Sequence, residues 1–219
     1  MESCLRKFGA NVGKNSQAVA LPIETGLVAI IRSKTENEGR EFAQALVEAG
    51  VTLIEFTTTT PGAFKLIEEF ADKPGLHVGL GTAMNKKHVA KGKDAGAKFV
   101  ISPHTSKEVI RATKKAGLIS IPGVATPTDV ANAINFGADM LKFFPASSLT
   151  PGYLKSVRDP FPGQTWLATG GITLESVEPW IKAGVIAFGL GGPLTSGGVA
   201  EVAKRVTDFQ AAIKSAKGN

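Results

Sequence analysis

Cysteine is almost absent from this chain of 219 residues: Cys4 stands alone. One thiol closes no disulfide within the chain, so a secreted scaffold stapled by disulfides is excluded and a reducing compartment is expected. Histidine is nearly as scarce, and His77, His88 and His104 do not fall at i, i+3 or i+4 from one another. With no cysteine pair either, no metal-ligand spacing is present, and neither a metal nor any other cofactor is expected. Long apolar runs are missing, so no membrane span is read. Residues 1–20 carry Arg6, Lys7 and Lys14, but no apolar core of signal-peptide length follows them. A cytoplasmic protein with no membrane partner is the expectation. Lysine and arginine number 25 against 19 acids, a net charge of +6. The lysines are not interleaved with aromatics, which argues against a nucleic-acid partner, while a mild positive field suits a small anionic substrate.

Glycine, in contrast, is plentiful, with 25 residues, many just after apolar runs. Along the chain one unit recurs: an apolar strand, a turn of small residues, an amphipathic helix. The strands are read at 27–31, 52–56, 77–80, 99–101, 118–121, 139–146, 165–168 and 185–188. Between them, helices are expected at 36–49 and 85–96. Others start with Thr60 as cap before Pro61, with Thr105 and Glu108 at capping-box spacing, at Thr126-Pro127 and at Thr173. A last helix is expected over 199–216, its apolar positions being Val199, Val202, Ala203, Val206, Phe209 and Ile213. Strands buried on both faces read as continuous apolar runs, as these do. Eight such units predict a (β/α)8 barrel in one domain over 21–219, with residues 1–20 as an N-terminal extension, read as a short helix closing the barrel bottom. An open doubly wound sheet explains the unit but not the count of eight.

Two charged residues interrupt apolar strands. In Met140-Leu141-Lys142-Phe143-Phe144, alternation puts Lys142 on one face with Met140 and Phe144. Burial disfavours an ammonium, and a lysine drawn below its usual pKa of about 10.4 becomes an amine nucleophile for carbonyl carbon. The plainer alternative is a strand-end lysine that snorkels to water. Glu55, in Leu53-Ile54-Glu55-Phe56-Thr57, is equally out of place, and across a barrel lumen its natural partner is Lys142. The pair is read either as a structural ion pair or as a Schiff-base lysine with its general acid/base. Barrel enzymes carry their chemistry at the C-terminal ends of the strands, where Arg32, Thr82 and Thr169 also fall. Gly170-Gly171 and Gly191-Gly192 follow strands seven and eight, the usual place for a phosphate site in barrels, though a glycine pair also marks an ordinary tight turn.

Together these stretches resemble the bacterial 2-keto-3-deoxy-6-phosphogluconate aldolases, which are class I, metal-free enzymes on a (β/α)8 barrel. The resemblance rests on Val28-Ala29-Ile30-Ile31-Arg32, Leu53-Ile54-Glu55-Phe56-Thr57, Gly79-Leu80-Gly81-Thr82, Ile101-Ser102-Pro103-His104, Pro122 to Thr128, Leu141-Lys142-Phe143-Phe144-Pro145-Ala146 and Thr169-Gly170-Gly171-Ile172. It implies cleavage of 2-keto-3-deoxy-6-phosphogluconate to pyruvate and glyceraldehyde 3-phosphate. Lys142 is implied as the Schiff-base residue and Glu55 as the proton shuttle. Arg32, Thr82 and Thr169 are implied to contact substrate, Pro103 and Phe144 to wall the pocket, and Gly170, Gly171, Gly191 and Gly192 to hold the phosphate. It also implies a homotrimer.

Three positions depart from the family pattern. Thr59 stands where some members carry arginine, Ser147 where glutamate is frequent, and Gly191-Gly192-Pro193 where Gly-Ser is usual. The segments 122–128 and 188–191 are also similar to the sister 2-keto-3-deoxy-6-phosphogalactonate aldolases, whose substrate differs at one stereocentre. Thr57 and the Thr-Gly-Gly motif favour the gluconate series. Two further readings are a phosphate-binding isomerase or synthase with no imine, and a non-catalytic metabolite-binding barrel.

Overall fold

The computed structural model describes residues 25–218. Eight parallel strands close into a barrel in sequence order. They are β1 (Leu27–Ile31), β2 (Leu53–Thr57), β3 (His77–Gly81), β4 (Phe99–Ser102), β5 (Ile119–Val124), β6 (Leu141–Phe143), β7 (Trp166–Thr169) and β8 (Ala187–Leu190). The seam is made by β1 and β8, with Val28 opposite Gly189. Around the strands lie α1 (Glu36–Glu48), α2 (Ala63–Ala71), α3 (Lys86–Asp94), α4 (Lys107–Lys115) and α5 (Pro127–Phe136). They are followed by α6 (Pro151–Arg158), α7 (Val177–Lys182), the short α8 (Gly192–Thr195) and α9 (Val202–Lys217). The expected N-terminal helix over 1–20 lies outside the described residues. No helix among those described is long and apolar enough to cross a membrane.

The strand period of two sorts the core into two clusters. Leu27, Ala29, Ile31, Ile54, Phe56, Leu141 and Phe143 belong to the large cluster between strands and helices. Val28, Leu53, Phe99, Ile101, Met140 and Leu167 form a separate cluster inside the barrel. Glu55, Lys142 and Thr169 each stand two positions after an inward residue (Leu53, Met140 and Leu167), so they face the lumen one layer nearer the C-terminal ends. The polar site therefore sits on a floor of packed side chains.

Several boundaries differ from the sequence reading. Thr60 does not cap α2, which starts at Ala63 after Gly62 in the left-handed region (φ 71°); the Thr60 hydroxyl turns to the Ile31 carbonyl instead. Ser106, not Thr105, caps α4. Thr105 donates to the Gly123 carbonyl, and Glu108 accepts from the Lys86 N–H. At Thr126 a capping box does form, with Asp129. Pro122-Gly123 is not a turn: β5 runs on to Val124, because Pro122 still pairs with β4 and Gly123 and Val124 pair with β6. The last helix starts at Val202 after a single 3-10 turn, leaving Val199 and Ala203 exposed.

Candidate active site

Lys142 lies on the shortest strand. Its neighbours Leu141 and Phe143 point away from the lumen, and Phe143 meets Trp166 and Trp180 edge-on at centroid distances of 6.3 and 5.9 Å. Anchoring the strand on that side aims Lys142 inward. The side chain is only 6% exposed, and its Nζ stands 4.6 Å from the centre of the Phe144 ring. Burial pulls its pKa down. The negative charge of Glu55 partly restores it, and the positive charge of Arg32 lowers it further.

Glu55 is 1% exposed, and its Oε2 has no hydrogen-bond partner. Burial pushes its pKa up, against the attraction of Lys142 and then Arg32. Glu55 and Lys142 are not in direct ion-pair contact, so their charges interact through space. Burial of each shifts both toward their neutral forms, the condition in which an amine can attack a carbonyl and a carboxyl group can exchange a proton.

Glycines shape the lumen around these groups. A Cβ on Gly81 would fall 1.7 Å from Glu55 Oε1, so the carboxyl group occupies the space that a side chain would take. A Cβ on Gly189 would fall 2.3 Å from Thr169 Oγ1. That hydroxyl is itself buried without a partner, and an unpaired buried hydroxyl costs roughly 1–3 kcal/mol unless a ligand satisfies it. Across β5, a Cβ on Gly123 would meet the Pro103 carbonyl oxygen at 2.4 Å, and Gly123 is opposite Lys142 in register. The glycine thus lets the β4 loop carrying Pro103 approach β5 at the level of Lys142.

Arg32 follows β1, exposed, and its Nη2 donates to Thr82 Oγ1 at 3.3 Å. Thr82 has φ 55°, the left-handed region that a β-branched residue seldom occupies. Such strain persists where surrounding bonds enforce it, and it clusters at ligand sites. Gly170 and Gly171 leave β7 with φ 96° and 73°, and Gly170 lies beside Phe144. Gly191 precedes α8, and Gly192 opens it. Each of the eleven positions singled out in the sequence lies within a barrel strand or just past its C-terminal end. His104 lies in the β4–α4 loop ahead of the helix, with Nδ1 buried and unpartnered. The lumen glycines were not singled out, although a glycine inside a strand pattern does signal close approach by another group. Among the described residues no group of three His, Cys, Asp or Glu is placed to hold a metal ion.

Comparison with known proteins matches the chain to aldolases. The chain is 34% identical over 181 residues to a probable 2-dehydro-3-deoxy-6-phosphogalactonate aldolase of Rhizobium meliloti, covering 81% of this chain and 85% of that one. A solved structure described as native KDPGal superposes with a TM-score of 0.84 at 30% identity, over 94% of this chain and all of that one. The KDPG aldolase of Legionella pneumophila, solved with pyruvate captured as a covalent carbinolamine intermediate, superposes with a TM-score of 0.71 at 27% identity, over 85% and 90% of the two chains. The family model for KDPG and KHG aldolase matches residues 22–208, and by that match the chain belongs to this family of carbon–carbon lyases.

Proposed function

We propose that this aldolase is a class I enzyme that cleaves 2-keto-3-deoxy-6-phosphogluconate to pyruvate and glyceraldehyde 3-phosphate, with Lys142 as the Schiff-base residue. The observation that carries the reading is Lys142 itself: a lysine buried in the lumen, drawn toward its neutral form and facing a buried carboxyl group. The neutral amine adds to the C2 carbonyl to give a carbinolamine. The neutral Glu55 carboxyl gives its proton to the carbinolamine hydroxyl, which leaves as water, and an iminium and the Glu55 carboxylate result. Glu55, as carboxylate, takes the proton of the C4 hydroxyl. The C3–C4 bond breaks, its electron pair flows into the iminium, and the aldehyde leaves. Protonation of the resulting enamine at C3 and addition of water release pyruvate and the free amine. The covalent carbinolamine captured in the Legionella relative supports this route.

Arg32 and Thr82 hold the substrate carboxylate, and Thr169 offers its unpaired hydroxyl to a substrate oxygen. Pro103 and Phe144 wall the pocket. The backbone N–H groups of Gly170, Gly171, Gly191 and Gly192 take the phosphate, which suits a positive-φ glycine turn and a helix start. Pro193 has no N–H, and no serine hydroxyl is present at 192, so this cradle has fewer donors than the Gly-Ser form. The assembly is a homotrimer, testable by light scattering.

The galactonate epimer is the second reading, favoured by the Rhizobium relative and the KDPGal structure; the hydroxyl of Thr169 in the Thr-Gly-Gly motif favours the gluconate series. The test is to mix the protein with pyruvate, reduce with borohydride and map the modified peptide by mass. A pyruvyl adduct on Lys142 supports the Schiff-base route, and cleavage rates of the two epimers then decide the substrate. A folded protein that gives no adduct removes the imine and leaves a phosphate-binding barrel that works by another route.

A further inference from the structure

Four consecutive threonines, Thr57 to Thr60, carry the chain out of β2. The hydroxyls of Thr57, Thr59 and Thr60 form a connected set. Thr60 is buried; its Oγ1 donates to the Ile31 carbonyl at 3.1 Å and accepts the Ser33 N–H at 3.3 Å. Ile31 and Ser33 flank Arg32, so one hydroxyl holds the arginine backbone from both sides. Thr57 Oγ1 lies 3.2 Å from the same carbonyl and 3.2 Å from Thr60 Oγ1.

Thr58 points the other way. Its N–H donates to the Gly81 carbonyl at 2.9 Å, and its Oγ1 donates to the Thr82 carbonyl at 2.8 Å. That second bond holds the one non-glycine residue with positive φ among those described. The circuit closes where Arg32 Nη2 donates to Thr82 Oγ1. One short segment thus holds the backbone on either side of Arg32 and the backbone of Thr82, whose side chains meet at this rim, from the ends of three successive strands.

We propose that Thr58 and Thr60 are positioning residues of the aldolase site, setting the separation of the Arg32 guanidinium and the Thr82 hydroxyl that together receive the substrate carboxylate. The inference rests on the assignment of Arg32 and Thr82 to that carboxylate. Valine has the shape of threonine without its hydroxyl. At position 60 it leaves the Ile31 carbonyl and the Ser33 N–H without this partner; at 58 it frees the Thr82 carbonyl and lets the strained residue relax. Serine keeps the hydroxyl at both places.

The experiment uses pyruvate as the probe and reads the concentration that gives half-maximal borohydride trapping on Lys142. Thr58→Val and Thr60→Val are each expected to need about five- to tenfold more pyruvate, the loss set by one hydrogen bond. Trapping at saturation changes less, and the serine variants stay within about twofold of wild type. Because Thr60 acts through Arg32, Thr60→Val added to Arg32→Ala should produce no further loss. Valine variants that bind pyruvate as well as wild type, serine variants as impaired as valine, or a full Thr60→Val loss in the Arg32→Ala background would each overturn the proposal. If Thr60→Val fails to fold, Thr58→Val and Thr58→Ser, at a partly buried position, decide it. A wild-type protein without a Lys142 adduct overturns the functional reading and this proposal together. A wild-type adduct with unmoved valine variants overturns this proposal alone.

Discussion

At Lys142 burial and the charge of Glu55 act in opposite directions, and burial is the larger. The rate of imine formation should therefore rise with pH along a curve that levels off below the ordinary lysine range. Glu55 raises the lysine pKa and Arg32 lowers it. At saturating pyruvate, Glu55→Gln is expected to move the rising limb to lower pH and Arg32→Gln to higher pH, followed by stopped-flow absorbance or timed borohydride quenching. Identical limbs in all three proteins would show that neither charge reaches the amine. For Glu55 the balance has a consequence for stability. Its folded pKa is raised, so above the usual glutamate value of about 4.3 the folded state retains a proton that the unfolded state releases. Stability contributed by the neutral carboxyl is present at low pH and is lost as pH rises through the folded pKa. Glu55→Gln removes that loss. The variant should melt higher than wild type at pH 7, with the difference shrinking toward pH 4, while turnover falls about 10²- to 10⁴-fold. A variant that melts lower at pH 7 would mean that Lys142 stabilises the carboxylate by more than burial costs it. Lys142 and Glu55 were legible in the sequence because a charge inside an apolar strand is conspicuous. Gly81, Gly189, Thr58 and Thr60 were not, because each acts through a partner on another strand.

The elements that carry these residues were legible as a repeating unit, but their ends were not. Local chemistry chose the cap correctly at Thr126, where both halves of the capping box lie within three residues. It failed at Thr60 and Thr105, whose hydroxyls bond to Ile31 and Gly123, residues distant in sequence. Proline and glycine in β5 suggested a turn, yet neighbouring strands on both sides continue the pairing. The briefest strand, β6, depends most on packing. Phe143 is fully buried and meets Tyr153, Trp166 and Trp180. Phe143→Ala should lower unfolding free energy by about 3–5 kcal/mol, the range for a buried phenylalanine that leaves a cavity, measured by urea denaturation. The folded fraction should also trap pyruvate more slowly, since the strand that aims Lys142 loses its outer anchor. A loss below about 1 kcal/mol would show that backbone pairing alone holds the strand.

Barrel closure is a property of the whole chain. The count of eight units pointed to it, but the register of the β1–β8 seam joins residues some 160 apart, beyond any local signal. That seam is backed by α9. The Gly26 carbonyl accepts the Phe188 N–H, and a Cβ on Gly26 would meet Ile213 at 2.9 Å, so the helix packs directly against the joint. Val202, Val206, Phe209 and Ile213 are all buried on this helix. Fully burying such side chains stabilises by roughly 1.5–3 kcal/mol each, and four of them together rival the roughly 5–15 kcal/mol by which a whole domain is stable. A chain ending at residue 201 should therefore lose its cooperative urea transition while retaining the residues proposed to carry out the reaction. Circular dichroism through the titration reads this directly. Should the shortened chain unfold in one sharp step at the wild-type midpoint, the strands alone would be holding the barrel shut, and α9 would have no part in closing it.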